Sequence, residues 1–199
     1  MDSSGLPNFP LHSLKKASRI LLQKDGFLES QFQLAGIYLL TWEVLKGAIR
    51  NRLETFFANG WKINKCGEMI PDIPSEHINL FTSRDALKNQ LNQWKEWGVV
   101  TEDDVVAVYV WRNYRNVVAH ELEKIVLDDN AMIIPVEHIE SMLSLLRKID
   151  NWWLLNFEAA TDPDEYRDFS PDEMAQGSSL RVCMLQHMID QVRQSAKTV

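Results

Sequence analysis

The chain contains only two cysteines, Cys66 and Cys183, and they lie far apart. Their separation matches neither the short spacing of a zinc-binding pair nor that of a redox-active pair. Cysteine usage this sparse argues against a disulfide framework and is typical of proteins from a reducing compartment. We therefore expect a cytoplasmic location.

Long apolar runs and Gly-rich phosphate loops are also missing. No stretch approaches the roughly 20 apolar residues of a membrane span, so no membrane partner is expected. The N-terminus has no basic region leading into an apolar run, and no signal peptide is expected. Neither common phosphate-loop pattern nor a nucleophile elbow occurs. His120-Glu121 begins like a zinc-protease motif, but Lys124 stands where the second histidine is required, so we expect neither metal nor cofactor.

Positive charge is the scarcer sign, with 21 Lys and Arg against 28 Asp and Glu and a net charge of −7. Residues 158–173 hold seven carboxylates and one cation, Arg167, so this acidic segment alone contributes −6. The stretch 46–65 instead has five cations against Glu54. Local fields rather than net charge decide what approaches a cleft. The charge therefore argues against extended duplex binding and leaves a local anion site open.

Apolar residues recur at helical spacing, and no alternation is long enough to predict a sheet. Hydrophobic content of 45% is ample for one core. We expect an all-α bundle of about five to six helices. The predicted helices cover about 11–24, 28–59, 83–97, 102–126, 135–157 and 179–195, and Gly98 is expected to end the third of them.

The connections follow from turn-forming residues. Residues 61–80 should form a connector with Gly67, Pro71 and Pro74, and 131–134 a short extended piece. The predicted organisation is a helical bundle over 1–157, an acidic linker or loop over 158–177, and a C-terminal helix over 178–199 that packs on the bundle.

The most informative stretch is Arg115-Asn116-Val117-Val118-Ala119-His120, inside the predicted helix 102–126. Thr101 is a suitable N-cap for this helix. At about 100° per residue, Asn116 and His120 lie only about 40° apart. This polar side also collects Arg112, Ala119 and Glu123, with Arg115 at its flank. The opposite side is expected to face the core and carries Val110, Trp111, Tyr114, Val117, Val118, Leu122 and Ile125.

The motif resembles the hallmark of the HEPN superfamily of helical nucleases and nucleotide-binding modules. That hallmark is an Arg, a polar residue (often Asn), a few spacers and a His, which here are Arg115, Asn116, three spacers and His120. The helical arrangement fits over roughly 28–157. One position departs from some toxins of the superfamily, which carry a Tyr two residues after the His that a partner nucleotidyltransferase modifies. Here that position is Leu122.

The resemblance implies a metal-independent endoribonuclease that leaves a 2′,3′-cyclic phosphate and a 5′-OH. His120 would act as general base or acid, and Arg115 would stabilise charge on the phosphate. Asn116 would orient His120 or a phosphate oxygen. The resemblance also implies a two-fold homodimer in host defence or in a toxin–antitoxin system, with a cognate antitoxin or defence-system protein as a further partner. The alternative is a catalytically silent helical module that binds a nucleotide or a protein partner.

Two further residues are candidates for supporting roles at this site. In HEPN-like folds an acidic residue of the second helix contacts the motif Arg, which implies that role for Glu43. The same side chain is also placed to pair with Lys46 three residues later. Arg112 shares the polar side of the motif helix and is the second candidate.

Three other groups of residues allow both a functional and a structural interpretation. Glu137, His138 and Glu140 cluster at the start of a predicted helix, but nothing else supplies a metal ligand at a recognisable spacing. This favours a solvated helix start over a metal site. Trp152-Trp153 can stack bases, but their spacing with Ile149 favours core or dimer packing. The acidic segment 158–173 either covers a basic cleft near Arg112, Arg115 and 46–65 or is a solvated loop.

Overall fold

The structure is a computed structural model that describes residues 27–127 and 134–198. The predicted helix 11–24 and all but the last residue of the predicted extended piece at 131–134 lie outside these residues. The described elements, in chain order, are α1 (Phe27–Phe57), β1 (Trp61–Ile63), β2 (Met69–Pro71), α2 (Asn79–Thr82), α3 (Ala86–Glu96), α4 (Glu102–Leu127), α5 (Val136–Trp153), a π-helical turn (Leu154–Glu158), α6 (Ala159–Thr161), α7 (Pro171–Gln176) and α8 (Leu180–Thr198).

The fold is all-α, as predicted, and α1 is its central element. Helices α3, α4, α5 and α8 all pack against α1. A helix with neighbours on several sides must be apolar around much of its circumference. Accordingly, α1 buries side chains along most of its length, including Leu34, Ile37, Tyr38, Trp42, Leu45, Ile49 and Leu53.

Helix α3 is fixed to α1 through Trp94. Its ring is fully buried, and its Nε1 donates a hydrogen bond of 2.9 Å to the carbonyl oxygen of Ile49 in α1. The ring also makes edge contacts with Trp97 and Trp152. Gly98 follows with a φ of 73°, the left-handed conformation that commonly terminates helices. The predicted stop at this glycine is therefore explained by its backbone conformation.

The motif helix α4 has a reciprocal cap at its N-terminus. The Thr101 hydroxyl accepts from the backbone N–H of Asp104 at 3.2 Å, and the Asp104 carboxylate accepts from the backbone N–H of Thr101 at 3.0 Å. Lys148 of α5 donates to the same carboxylate at 2.9 Å. Burial alone raises the pKa of Asp104, but these hydrogen bonds outweigh it and hold the pKa below its usual value. The bonds also tie the start of α4 to α5.

The prediction that 61–80 is only a connector was wrong, because β1 and β2 form an antiparallel hairpin. Each strand has three residues, which is too short for alternation to be visible in the sequence. The turn is held by Asn64, whose side-chain oxygen accepts from the backbone N–H groups of Cys66 and Glu68, both at 2.9 Å. Gly67, with a φ of 84°, supplies the left-handed residue of this turn.

Two helix boundaries and the acidic segment also differ from prediction. Residues 83–85 are not helical and α3 begins at Ala86. The α-helix predicted to reach 157 ends at Trp153 and continues as the π-helical turn. Residues 158–177 include the short helices α6 and α7. Helix α7 starts at a capping box in which Ser170 and Glu173 bond each other's backbone N–H groups, a local signal that the charge of the segment obscured.

The C-terminal helix α8 packs on α1 and α5. Val182, Leu185 and Ile189 are buried at this contact. At its start, the buried carboxylate of Asp150 in α5 accepts from Arg181 and, at 2.7 Å, from Ser179. A buried carboxylate requires such partners, so the register of α8 on α5 is set by polar as well as apolar contacts.

We expect Trp94→Ala to lower the free energy of unfolding by about 3–5 kcal/mol, because it leaves a large cavity at the α1–α3 contact. The matched control is Trp61→Ala in the hairpin, where the side chain is 59% exposed. That change should stay within about 0.5 kcal/mol. Urea unfolding followed by tryptophan fluorescence and circular dichroism measures both, and equal losses would show that the α1–α3 contact is misassigned.

Candidate active site and basic pocket

The motif residues lie on the solvent-facing edge of α4. Asn116, Ala119 and His120 are exposed, whereas Trp111 and Val118 of the same helix are buried. Arg112, one turn before Asn116, is also exposed. As far as His120, the polar and core sides of the helix are therefore arranged largely as the sequence predicts; the side chains of Leu122, Glu123 and Ile125 lie outside what the structure describes.

Val110 is the correction to that arrangement. It was expected on the core side, but its side chain is 48% exposed. Val110 lies about 100° from Trp111 around the helix axis, and it shares its direction with exposed Val106. The apolar side of α4 is wider than its contact with the bundle, so a stripe of valines faces solvent.

Arg115 is held by Glu43 of α1. Its Nη2 donates to Glu43 Oε1 at 2.7 Å, which is the contact that the resemblance implied. The other pairing weighed for Glu43 is also present, with Lys46 Nζ 3.5 Å from Glu43 Oε2. Glu43 thus joins two cations that come from different helices, and it fixes where the Arg115 guanidinium lies.

The remaining donors of Arg115 are less satisfied. Its Nη1 reaches the side-chain oxygen of Asn116 at 3.4 Å, a long hydrogen bond. Its Nε is buried, and within the described part of the chain it has no hydrogen-bond partner. An arginine with a buried, unsatisfied donor gains from an added anion or water. Arg115 therefore retains donor capacity beyond the ion pair with Glu43.

Arg115 and Asn116 border a pocket of about 300 Å³ between α1, α3 and α4. Lys46 and Arg50 of α1 lie on its wall, and Arg112 of α4 lies beside them. We call it the basic pocket; the described residues that line it are Trp42, Lys46, Arg50, Ala86, Leu87, Gln90, Arg112, Arg115 and Asn116.

The pocket keeps a positive field after its internal ion pairs are counted. Glu43 pairs with Arg115 and Lys46, and Glu54 pairs with Arg50 at 2.8 Å. Among the described residues, four cations thus face two carboxylates. His120 does not line the pocket; it lies one turn beyond Asn116, about 6 Å along the helix axis. The motif is therefore split between a pocket wall and an exposed edge.

Lys46 and Arg50 are the site residues that the sequence reasoning did not single out. With Trp42 they follow an i, i+4, i+8 spacing along one face of α1, which was visible in the sequence. The motif lies on α4, and no sequence signal showed that this face of α1 would pack against α4.

A buried polar group supports the motif helix from behind. The Tyr38 hydroxyl donates to the carbonyl oxygen of Trp111 at 3.2 Å, and His138 Nδ1 lies 3.4 Å from the same hydroxyl. Burial raises the pKa of both Tyr38 and Tyr114, whose rings pack 5.2 Å apart. Burial also lowers the pKa of His138, against a smaller raising effect from Glu137. His138 is thus a packing residue behind α4.

The other candidates have structural roles. Glu140 pairs with Arg193 at 2.6 Å. Trp152 stacks on Trp97 at 4.8 Å, and Trp153 is buried, so this pair packs in the core rather than presenting faces to bases. Across residues 27–127 and 134–198, no group of three His, Cys, Asp or Glu side chains can hold a metal ion.

The acidic segment makes contacts of two kinds. Glu158 pairs with Arg52 at 3.0 Å, which ties the start of the segment to the 46–65 stretch. Asp164 pairs with Arg167 and Glu173 caps α7, so these carboxylates are engaged within the segment. Arg52 lies outside the lining of the basic pocket. These contacts favour a structural role for the segment over a cover for the pocket.

We expect His138 to make the protein less stable at mildly acidic pH. Its pKa is lower in the folded state than in the unfolded chain, so the unfolded chain binds the proton more tightly. The free energy of unfolding should therefore fall as the pH drops below about 6.5. Chemical unfolding at about pH 7.5 and pH 5.5 measures this. His138→Asn should reduce the loss, whereas His187→Asn, at an exposed position, should not; equal pH dependence in both variants would contradict the assignment.

Comparisons with known proteins found no match: no protein-family model, no curated protein and no solved structure matches this chain. Among the helices described, none is long and apolar enough to cross a membrane.

Proposed function

We propose that the protein is a metal-independent endoribonuclease of the HEPN type, acting in host defence or as the toxin of a toxin–antitoxin system in the cytoplasm. One observation carries the proposal. Arg115, fixed by Glu43, reaches the wall of a basic pocket together with Asn116, and His120 lies exposed one turn away on the same edge of α4. A phosphate-binding cation and a proton-transfer group thus share one solvent-facing edge.

RNA suits this arrangement because its 2′-OH is a built-in nucleophile. An imidazole removes the 2′-OH proton as the oxygen attacks the adjacent phosphorus. The bond from phosphorus to the 5′-oxygen breaks, and that oxygen takes a proton from a general acid. The products are a 2′,3′-cyclic phosphate and a 5′-OH. His120 supplies proton transfer, and Arg115 stabilises the negative charge that builds on the phosphate oxygens.

A second copy of the chain supplies the general acid in this scheme. A two-fold axis beside α4 brings His120 of both chains to one phosphate, so that one acts as base and the other as acid. The outward face of α4 has the spacing of a helix–helix seam. Residues recur there at alternating steps of three and four, namely Asp103, Val106, Val110, Asn113, Val117 and His120. Exposed Val106 and Val110 lie within this seam.

A catalytically silent module that binds a nucleotide or a protein partner is the second candidate. The observation that favours it is that the basic pocket includes Arg115 and Asn116 but not His120. A pocket of this kind binds a phosphate group without any proton transfer. Catalysis requires a substrate that reaches from the pocket to His120.

The purified protein should cleave single-stranded RNA in excess EDTA. His120→Ala and Arg115→Ala should each lower the cleavage rate at least about 100-fold, because they remove proton transfer and electrostatic stabilisation respectively. The controls are His187→Ala and Arg193→Ala on α8, which should retain the rate. Gel electrophoresis of labelled RNA measures all five proteins. Full activity in either motif variant, or activity that needs a divalent metal, would contradict the proposal.

The protein should be a dimer at micromolar concentration by light scattering, with α4 of both chains near the axis. Val110→Asp should produce monomers and abolish cleavage, because it places two carboxylates in the seam. Leu180→Asp changes another exposed apolar residue, on α8, which is 77% exposed against 48% for Val110, and should leave the dimer intact. A monomeric parent protein, or equal dimerisation of both variants, would refute the two-fold arrangement.

A further inference from the structure

Three cations of the basic pocket have no place in the cleavage step. Lys46 and Arg50 reach the pocket from α1, and Arg112 reaches it from α4. We propose that they form a phosphate-anchoring subsite, separate from the cleavage centre, that binds a phosphate of the RNA strand flanking the scissile one. The inference rests on the proposed function for its substrate class, and the binding experiment below tests it independently of cleavage.

Distance along α4 separates the two sites. Arg112 and His120 are two turns apart, about 12 Å along the helix axis. A phosphate held in the pocket at Arg112 is therefore displaced along the helix from the position beside His120. Asn116 and Arg115 lie between these positions. A strand that occupies both ends must place one phosphate in the pocket and another at the exposed edge.

The chemistry of the pocket favours an anion such as a phosphate over neutral ligands. Arg50 donates Nε to Glu54 Oε1 at 2.8 Å, and its Nη2 lies 2.8 Å from the same oxygen. This ion pair orients the guanidinium and leaves Nη1 for a ligand. The excess of cations over carboxylates keeps the field positive. The first turn of α3, at Ala86 and Leu87, lies on the opposite wall and adds the partial positive charge of a helix N-terminus.

The size of the pocket suits a phosphate with part of its nucleoside. Its volume of about 300 Å³ is at the lower end of the range for small-molecule sites. Trp42 and Leu87 give part of the lining an apolar character, which can accept a sugar edge. The described part of the pocket lining contains no acid–base group such as histidine. We therefore assign binding, and not proton transfer, to Lys46, Arg50 and Arg112.

The test measures RNA binding in a protein that cannot cleave. Fluorescein-labelled decauridylate is titrated with the His120→Ala protein in EDTA, and anisotropy gives the affinity at several salt concentrations. Arg50→Gln and Arg112→Gln remove one pocket cation each in this background. The matched control is Arg193→Gln, because Arg193 is also ion-paired, with Glu140, and is 45% exposed against 47% for Arg50.

Each pocket variant should bind about 3–10-fold more weakly near 0.1 M salt. Each should also reduce the slope of log affinity against log salt by about 0.7, the value for one phosphate contact on a single strand. The control should keep the slope and affinity of its parent. In protein that retains His120, Arg50→Gln should raise KM and leave kcat unchanged, since the anchor binds ground state and transition state alike.

The failures of the two proposals are distinguishable. If the parent protein cleaves RNA but Arg50→Gln and Arg112→Gln match Arg193→Gln in slope and affinity, the subsite is wrong and the nuclease stands. If RNA stays intact but both pocket variants reduce the slope of log affinity against log salt, the subsite stands and the nuclease is wrong. Absence of RNA binding by the His120→Ala protein overturns the subsite. Circular dichroism of each variant confirms that all proteins compared are folded.

Discussion

The packing of α1 against α4 is the constraint on which both the core and the candidate site depend. The buried Tyr38 of α1 donates its hydroxyl to the carbonyl oxygen of Trp111 in α4, and the exposed Glu43 of α1 pairs with Arg115 of α4. The apolar contact brings the helices close enough for a charged pair to form. The pair in turn fixes Arg115 at the pocket wall, so the packing of the core determines the geometry of the site.

An acidic protein is compatible with an anion site because the charges are segregated. Much of the negative charge lies in 158–173, where Asp164 pairs locally and Glu173 caps α7. The cations of the basic pocket come from two helices that converge at one point, and their carboxylates neutralise them only in part. Local geometry therefore sets the field that a phosphate meets.

The sequence predicted much of the fold because its signals are local. Periodicity located α1, α4 and α8, and caps such as Thr101 and Gly98 marked helix ends. The hairpin was missed because three-residue strands carry no readable pattern. The exposure of Val110 was missed because periodicity shows which residues of α4 are apolar, but it does not show how much of the apolar side of α4 the bundle covers. The motif and Glu43 could be chosen from the sequence through the resemblance, whereas Lys46 and Arg50 joined the site only when α1 met α4 in space.

In the proposed nuclease, the 2′-OH of the RNA substrate is the nucleophile. The most direct measurement compares an RNA oligonucleotide with one of the same sequence in which every sugar is 2′-O-methylated. Both keep the phosphates that the basic pocket and Arg115 would bind, so both should bind with similar affinity. Only the unmodified RNA should be cut, and its 3′ ends should carry a cyclic phosphate detectable by mass spectrometry. Cleavage of the methylated RNA, or products with linear 3′-OH ends, would contradict it.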